Sequence, residues 1–240
     1  MRVVFLSDAH LRDERDEGYR LLLRFMKELE GTTDHLVIAG DLFDFWFCDG
    51  AKIYPEFGTI IQALINLRKS GVRISLIEGN HDFFMQEAFR GTGIEIIPDE
   101  IVLEIDGARI YIAHGDLVDR SNKRYLMLRR LLRSGFFFRL QRLLPAGLLW
   151  KIAGRCSSSS RRYMQERSRS IVEAMKLFAR ERIAGGMDAV ILGHSHQPMI
   201  QWYTVDGKTG MLGLLGDWIE HYSYVVFENG RFTLEFYGAK

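Results

Sequence analysis

Cysteine is almost missing from this 240-residue chain, with only Cys48 and Cys156 present and far apart. That excludes a disulfide framework, a cysteine-rich zinc site and a CxxC redox pair, and makes a reduced, cytosolic setting the expectation. Proline is scarce as well, at 4 residues, while 47% of residues are apolar, so a disordered chain is excluded and a substantial core is expected. No stretch reaches the roughly 18 uninterrupted apolar residues of a membrane-spanning helix. The run behind Met1, RVVFLSD, is too short for a signal peptide. The expected protein is soluble or lies on a membrane without crossing it. A third absence is local: Arg120 to Gln165 holds 12 Arg and Lys and no Asp or Glu. The formal charge of +1 therefore hides a basic segment set against 20 basic and 31 acidic residues elsewhere, which points to an anionic partner for one part of the molecule.

Short β-branched runs recur along the chain, and several end in a polar cluster: VVFLSDAH, HLVIAGD, VRISLIEGNHD, RIYIAHGD and DAVILGHSH. Between the early ones, apolar spacing predicts helices over Tyr19–Glu30, with Leu22, Leu23, Phe25, Met26 and Leu29 on the apolar side, and over Tyr54–Ser70. Such alternation predicts an α/β sheet with its chemistry at the carboxyl ends of the strands. YSYVVFENGRFTLEFY alternates around Asn229-Gly230, a type I′ hairpin signal. Between HGD and DAVILGHSH the chain reads as helical, broken at Ser157–Ser160 and ended by Ala184–Gly186. Residues 120–182 are accordingly expected to form a helical cap inserted into a core of 1–119 and 183–240.

Five strand-end clusters stand out: Asp8-Ala9-His10, Gly40-Asp41, Gly79-Asn80-His81-Asp82, His114-Gly115-Asp116 and Gly193-His194-Ser195-His196. One such cluster alone is weak, because a histidine beside a glycine is more often an ordinary loop histidine, and Asp or Asn at a strand end caps turns for local reasons. Five together, each directly after a buried-strand pattern, point to a metal site. Mixed nitrogen and oxygen donors suit Mn²⁺, Fe²⁺ or Zn²⁺ better than Mg²⁺ or Ca²⁺. A divalent cation held there would acidify a bound water. Asp44, Asp82 and Asp116 stand close enough to orient ligands, with simple turn capping nearly as good a reading of each.

The order DxH, GD, GNHD, HG, GHxH resembles the calcineurin-like metallophosphoesterases. That resemblance implies a four-layer αββα sandwich with, here, a helical cap insertion. It also implies two metal positions, one held by Asp8, His10, Asp41 and His196, the other by Asn80, His114, His194 and the bridging Asp41. His81 and Asp41 would be the catalytic residues.

SDAHL, GDLFDFW, GNHDFF, HGDLVD and the insertion containing SSSSRR are similar to the UDP-2,3-diacylglucosamine hydrolases. Members of that family cleave a UDP-linked diacylated glucosamine at its pyrophosphate, giving UMP and 2,3-diacylglucosamine 1-phosphate in lipid A biosynthesis. The resemblance implies Mn²⁺, a cap with an apolar cavity for acyl chains, and a cytoplasmic enzyme working peripherally at the inner membrane face. It also implies substrate contacts from Asn122, Ser160 and Arg161. Phe137 and Trp150 are candidates for the acyl pocket, since two acyl chains need apolar walls while a pyrophosphate needs arginines. The same basic, apolar stretch is a candidate membrane contact, against the simpler reading that its stripe packs on the core. One position departs from the family pattern, which has GNRD where this chain has GNHD. His81 can protonate a poorer leaving group, so a phosphoesterase acting on nucleotide or phospholipid diesters or monoesters stays open beside the lipid hydrolase. Nucleic acid is not an expected partner: the arginines alternate with aliphatics and lack interleaved aromatics for stacking. A metal-binding scaffold without catalysis is disfavoured by the full ligand set.

Overall fold

A computed structural model describes residues 1–46, 53–142 and 169–238. In chain order its strands are β1 (Arg2–Leu6), β2 (His35–Ala39), β3 (Arg73–Ile77), β4 (Glu95–Ile97), β5 (Glu100–Ile105), β6 (Ala108–Ala113), β7 (Ala189–Leu192), β8 (Pro198–Val205), β9 (Lys208–Leu215), β10 (Ser223–Glu228) and β11 (Arg231–Phe236). The helices are α1 (Glu17–Glu28), α2 (Gly58–Lys69), α3 (Lys123–Leu132), α4 (Gly135–Arg142) and α5, over 169–184.

The apolar runs RVVFL, HLVIA, RISLI and AVIL become β1, β2, β3 and β7, strands buried on both faces, as parallel strands covered on both sides must be. They sit in two sheets of order β11-β10-β1-β2-β3-β4 and β5-β6-β7-β9-β8. Both sheets have parallel centres, β1–β2–β3–β4 and β6–β7–β9, with antiparallel strands at β10, β11, β5 and β8. Alternate residues of β1 split the core. Val3 and Phe5 face inward with Val37, Ile77, Ile110, Ile112 and Ile191, joining the two sheets. Val4 and Leu6 face the other way, against Tyr19, Leu22 and Phe25 of α1 and Ile60 and Leu64 of α2. On the far side, Ile171, Met175, Ala179 and Ile183 of α5 recur every fourth residue and pack on Tyr111, Val190, Leu192 and Leu212. The result is the α/β/β/α sandwich, and α5, most of which falls in the segment 120–182 read as a cap, supplies its fourth layer.

The expected helices are present with shifted ends. α1 stops at Glu28, ahead of a turn through Gly31 at φ 68°, a conformation that glycine adopts without steric cost. β4, β5, β8 and β9 were not anticipated. Asp106-Gly107 turns β5 into β6 and Asp206-Gly207 turns β8 into β9, with positive φ values matching those at the anticipated Asn229-Gly230. Among the helical segments after β6, α3 has no buried residue, and Ser134 separates it from α4 by accepting the Phe137 amide on its Oγ at 3.2 Å. Trp150, Ser160, Arg161, both cysteines and the Ser157–Ser160 break lie outside the described residues.

Candidate metal centre

The carboxyl ends of β1, β2, β3, β6 and β7 run directly into the five clusters, and the loops are stitched to one another. The Asp8 amide donates to the Gly40 carbonyl at 3.1 Å, that of His10 to Asp41 at 2.9 Å and that of Trp46 to His81 at 2.9 Å. Asp8, His10, Asp41, His194 and His196 all have left-handed backbone, φ between 44° and 65°, which non-glycine residues seldom adopt. Strain of order 1–3 kcal/mol per residue persists where the surroundings over-determine it, as at functional sites. The motif glycines permit the crowding. A Cβ at Gly40 would fall 2.5 Å from the His114 ring, and one at Gly193 2.7 Å from Asp8 Oδ2.

What these loops bring together is a set of acceptors facing one another. The His114 Nδ1–H donates to the Ala39 carbonyl at 3.0 Å, so in the neutral ring Nε2 carries the lone pair. That nitrogen lies 3.0 Å from Asn80 Oδ1 and 3.4 Å from Asp41 Oδ2. His10 Nε2 lies 3.7 Å from the same Asp41 oxygen and 3.8 Å from Asp8 Oδ1, and His196 Nε2 lies 3.4 Å from Asp8 Oδ1. Asp8 Oδ1 and both His10 ring nitrogens are buried without a hydrogen-bond partner. Buried lone pairs pointed at one another are costly unless positive charge sits between them. Protons report the same potential. Burial opposes a charged His114, yet the Asp41 carboxylate outweighs it and pushes the ring up to about 10. Burial likewise opposes ionisation of Asp41, and His114, His81 and His10 nevertheless hold it well below the usual carboxylate range. His194 is pushed down to about 4 by burial and by its neighbour His114, so it is neutral and fit to ligate. A divalent cation fits this donor set. Asp8, Asp41 and His114, and Asp8, His10 and His196, each offer atoms within 4.8 Å of one another.

The three outer carboxylates do different jobs. Asp82 braces backbone, taking the Asp41 and Gly79 amides on Oδ1 at 3.0 and 2.9 Å and the Phe43 amide on Oδ2 at 3.1 Å. Burial and the nearby Asp41 push it up to about 8. Asp44 lies 3.5 Å from His10 Nδ1 through Oδ1 and receives Arg12 Nε on Oδ2 at 2.5 Å. Asp116 receives the Tyr125 hydroxyl at 2.8 Å and Arg129 Nε at 2.6 Å. The His81 amide donates to Asp41 Oδ1 at 2.8 Å, and its ring Nδ1–H donates to the Asp44 carbonyl at 2.8 Å, edge-on to His10.

Asn122, expected at the substrate, also caps α3: its Oδ1 accepts the Tyr125 amide at 3.2 Å. Phe137 is half-buried on α4, and its neighbour Phe138 packs against Phe84, which follows the GNHD cluster at φ 63°. A sixth cluster went unread. β9 ends in Gly216-Asp217, and Asp217 Oδ2 lies 3.5 Å from His196 Nδ1 and 2.9 Å from His221 Nδ1. Its Oδ1 accepts the Ile219, Glu220 and His221 amides, so the carboxylate is fixed where it can orient His196. The signal was present, a glycine-acid pair after the apolar run MLGLL like Gly40-Asp41 after HLVIA, but without the adjacent histidine that marks the other four clusters.

A family model of calcineurin-like phosphoesterases matches residues 1–198. A solved archaeal phosphodiesterase superposes with a TM-score of 0.50 over 98% of this chain and 99% of its own, at 15% identity, a likeness of fold. A UDP-2,3-diacylglucosamine hydrolase from Pseudomonas putida is 34% identical over 225 residues, 90% of each chain. One from Aeromonas salmonicida is 32% identical over 98% of this chain and 93% of its own. The family supports divalent-metal use by the facing acceptors, and the similarity to the hydrolases extends past the shared core through the helical segment. By fold, motif order and kinship, the chain belongs to the calcineurin-like phosphoesterases, in the family of the UDP-2,3-diacylglucosamine hydrolases.

Proposed function

We propose that the protein hydrolyses the pyrophosphate of UDP-2,3-diacylglucosamine to UMP and 2,3-diacylglucosamine 1-phosphate, using two divalent cations, Mn²⁺ in the cell. The observation that supports this best is the ring of facing lone pairs on Asp8, His10, Asp41, Asn80 and His114, set in a chain similar to hydrolases of that name. One position takes Asp8, His10, Asp41 and His196, the other Asp41, Asn80, His114 and His194. The cations would supply Lewis-acid charge for the phosphoryl oxygens and lower the pKa of a water. Asp41 is common to both positions, and its ionised state keeps it an acceptor. Because the Nδ1–H of His81 is committed to the Asp44 carbonyl, its Nε2 is the atom that meets the substrate's phosphate.

The helical segment from residue 120 would form the lid over this centre, with acyl-binding and phosphate-binding roles for Phe137, Trp150, Ser160 and Arg161. Met127, Leu128, Leu131, Phe136 and Leu140 are exposed on α3 and α4 beside exposed Lys123, Arg124, Arg130 and Arg139. Apolar side chains ringed by cations suit peripheral attachment to an anionic membrane surface, on the cytoplasmic face of the inner membrane. Among the described residues, no helix is long and apolar enough to cross a membrane.

The deciding assay incubates the protein with Mn²⁺ and either UDP-2,3-diacylglucosamine or bis-p-nitrophenyl phosphate. Release of UMP from the lipid is expected. Rapid turnover of the simple diester with no UMP would favour the second reading, a general phosphodiesterase, which His81 in place of arginine supports.

A further inference from the structure

The arginines of the basic segment do not all face outward. Arg129 and Arg133 have only 14% and 13% of their side chains exposed. They follow Tyr125 at spacings of four, on the side of α3 that meets the core. Since α3 buries no residue fully, apolar packing does little to hold it, and its attachment is polar. The bonds converge on the two loops that bear His114 and Asn80. Arg129 reaches Asp116 Oδ2 through Nε at 2.6 Å and Asp99 Oδ1 through Nη2 at 2.8 Å. Asp116 stands two residues after His114, and the Tyr125 hydroxyl grips the same carboxylate oxygen. Arg133 donates through Nη2 to the Gly79 carbonyl at 2.7 Å and through Nη1 to the Pro98 carbonyl at 2.8 Å, and lies 3.5 Å from Glu78 Oε2. The Gly79 carbonyl belongs to the peptide bond that begins Asn80. Glu78 in turn accepts the Met85 amide at 2.9 Å, closing the loop that holds Asn80 and His81.

We propose that Arg129 and Arg133 are positioning residues, which set the places of His114 and Asn80 by locking their loops to the first helix of the lid segment. A plain anchor for a helix needs no particular target. Here both guanidiniums end on groups one or two residues from a candidate ligand, and each bridges two separate chain segments with the fork that arginine has and lysine lacks. Phe138 of α4, against Phe84, adds a second tie between the lid helices and the same loop. The lid and the metal centre thus move as one body, so distortion of α3 is felt at the cations.

This inference rests on Asn80 and His114 as metal ligands, and the test separates the two. The protein, freed of metal, is titrated with Mn²⁺ by calorimetry, and its Tm without metal is measured. Arg129→Lys and Arg133→Lys should bind Mn²⁺ about tenfold or more weakly, the usual cost of losing a partner behind the ligands. Their metal-free Tm should stay close to the parent's, and Arg130→Lys, an exposed neighbour on the helix, should leave the titration unchanged. Tyr125→Phe removes one hydroxyl from Asp116 and serves if an arginine variant does not fold, with a weakening smaller than in Arg129→Lys expected because the guanidinium still holds the carboxylate. Lowered Tm with parental Mn²⁺ affinity in these variants would overturn the proposal and leave the arginines as a tether. Asn80→Ala and His114→Ala run in parallel: loss of affinity there, without loss in the arginine variants, refutes only the positioning role. Parental affinity in Asn80→Ala and His114→Ala would refute the ligand assignment and this inference with it.

Discussion

Asp41 is buried, ionised and within 3.7 Å of ring nitrogens from both His10 and His114. Asp41→Ala removes the one carboxylate common to both proposed positions, so metal content and hydrolysis of any phosphoester should collapse while the circular dichroism spectrum stays native. Full activity with full metal content would refute the assignment. Gly79 gives a steric counterpart, since a Cβ there would stand 2.5 Å from the Asp41 amide nitrogen and closer still to its carboxylate. Gly79→Ala should lower kcat on a small diester at least about tenfold, by shifting Asp41, and cost about 1–3 kcal/mol of stability from overpacking. Urea unfolding alongside steady-state kinetics checks both parts. Asp8, His10, Asp41, Asn80, His114, His194 and His196 were legible as candidates because each follows an apolar strand in a compact cluster. Asp217 also follows an apolar strand but went unread, because no histidine adjoins it and its relation to His196 is made by β9 lying beside β7, a pairing that chain order does not reveal.

At the scale of elements, β2, β3 and β4 share a polar chain, buried at His35 and Ser75 and open to solvent at Glu95. His35 Nε2 lies 2.9 Å from Ser75 Oγ, which donates to Glu95 at 3.0 Å, so His35 is the donor in its neutral form. Burial, with the charge of Arg73, pushes it down to about 4. As pH falls below the ordinary value of 6.5, the unfolded chain takes up a proton that the folded chain refuses, so stability is lost between 6.5 and about 4 and levels off below. His35→Gln should flatten that part of the stability–pH curve, by about 3 kcal/mol at its limit, measured as the difference from the parent in urea titrations. In α4 the three phenylalanines separate. Phe136 is 73% exposed, whereas Phe138 packs on Phe84 beside the GNHD cluster. Phe136→Ser should impair the lipid substrate and spare bis-p-nitrophenyl phosphate, and Phe138→Ser should slow both, read as paired kcat/KM values. Equal losses on both substrates for Phe136→Ser would make that ring structural. Helices α1 and α2 were legible from their apolar period. β8 and β9 were passed over because Gly210, Gly213 and the half-exposed face of β8 blur the alternation that marks a strand.

For the whole molecule, the charge imbalance predicts behaviour at a lipid surface. Co-sedimentation with vesicles containing phosphatidylglycerol should be strong at low salt and fall steeply as NaCl rises past about 0.15 M, where screening acts within about 8 Å. Binding that ignores salt and lipid charge would remove the electrostatic part of the membrane reading. The exposed apolar residues of α3 and α4 would then be left to the substrate alone.

The sequence by itself determined the fold family through the resemblance carried by its motif order, and the chemistry-bearing strands and candidate metal donors through local pattern: buried runs of four or five residues, then a polar cluster. Tertiary structure alone decided which direction the basic helix turns. Leu and Arg interleave along α3, so composition allowed its cations to face solvent, phosphate or protein. Only the fold brings Asp99, Asp116 and the Gly79 carbonyl within reach of Arg129 and Arg133, because a buried carboxylate is costly without a cation: Asp116 draws in Arg129, and Glu78 draws in Arg133.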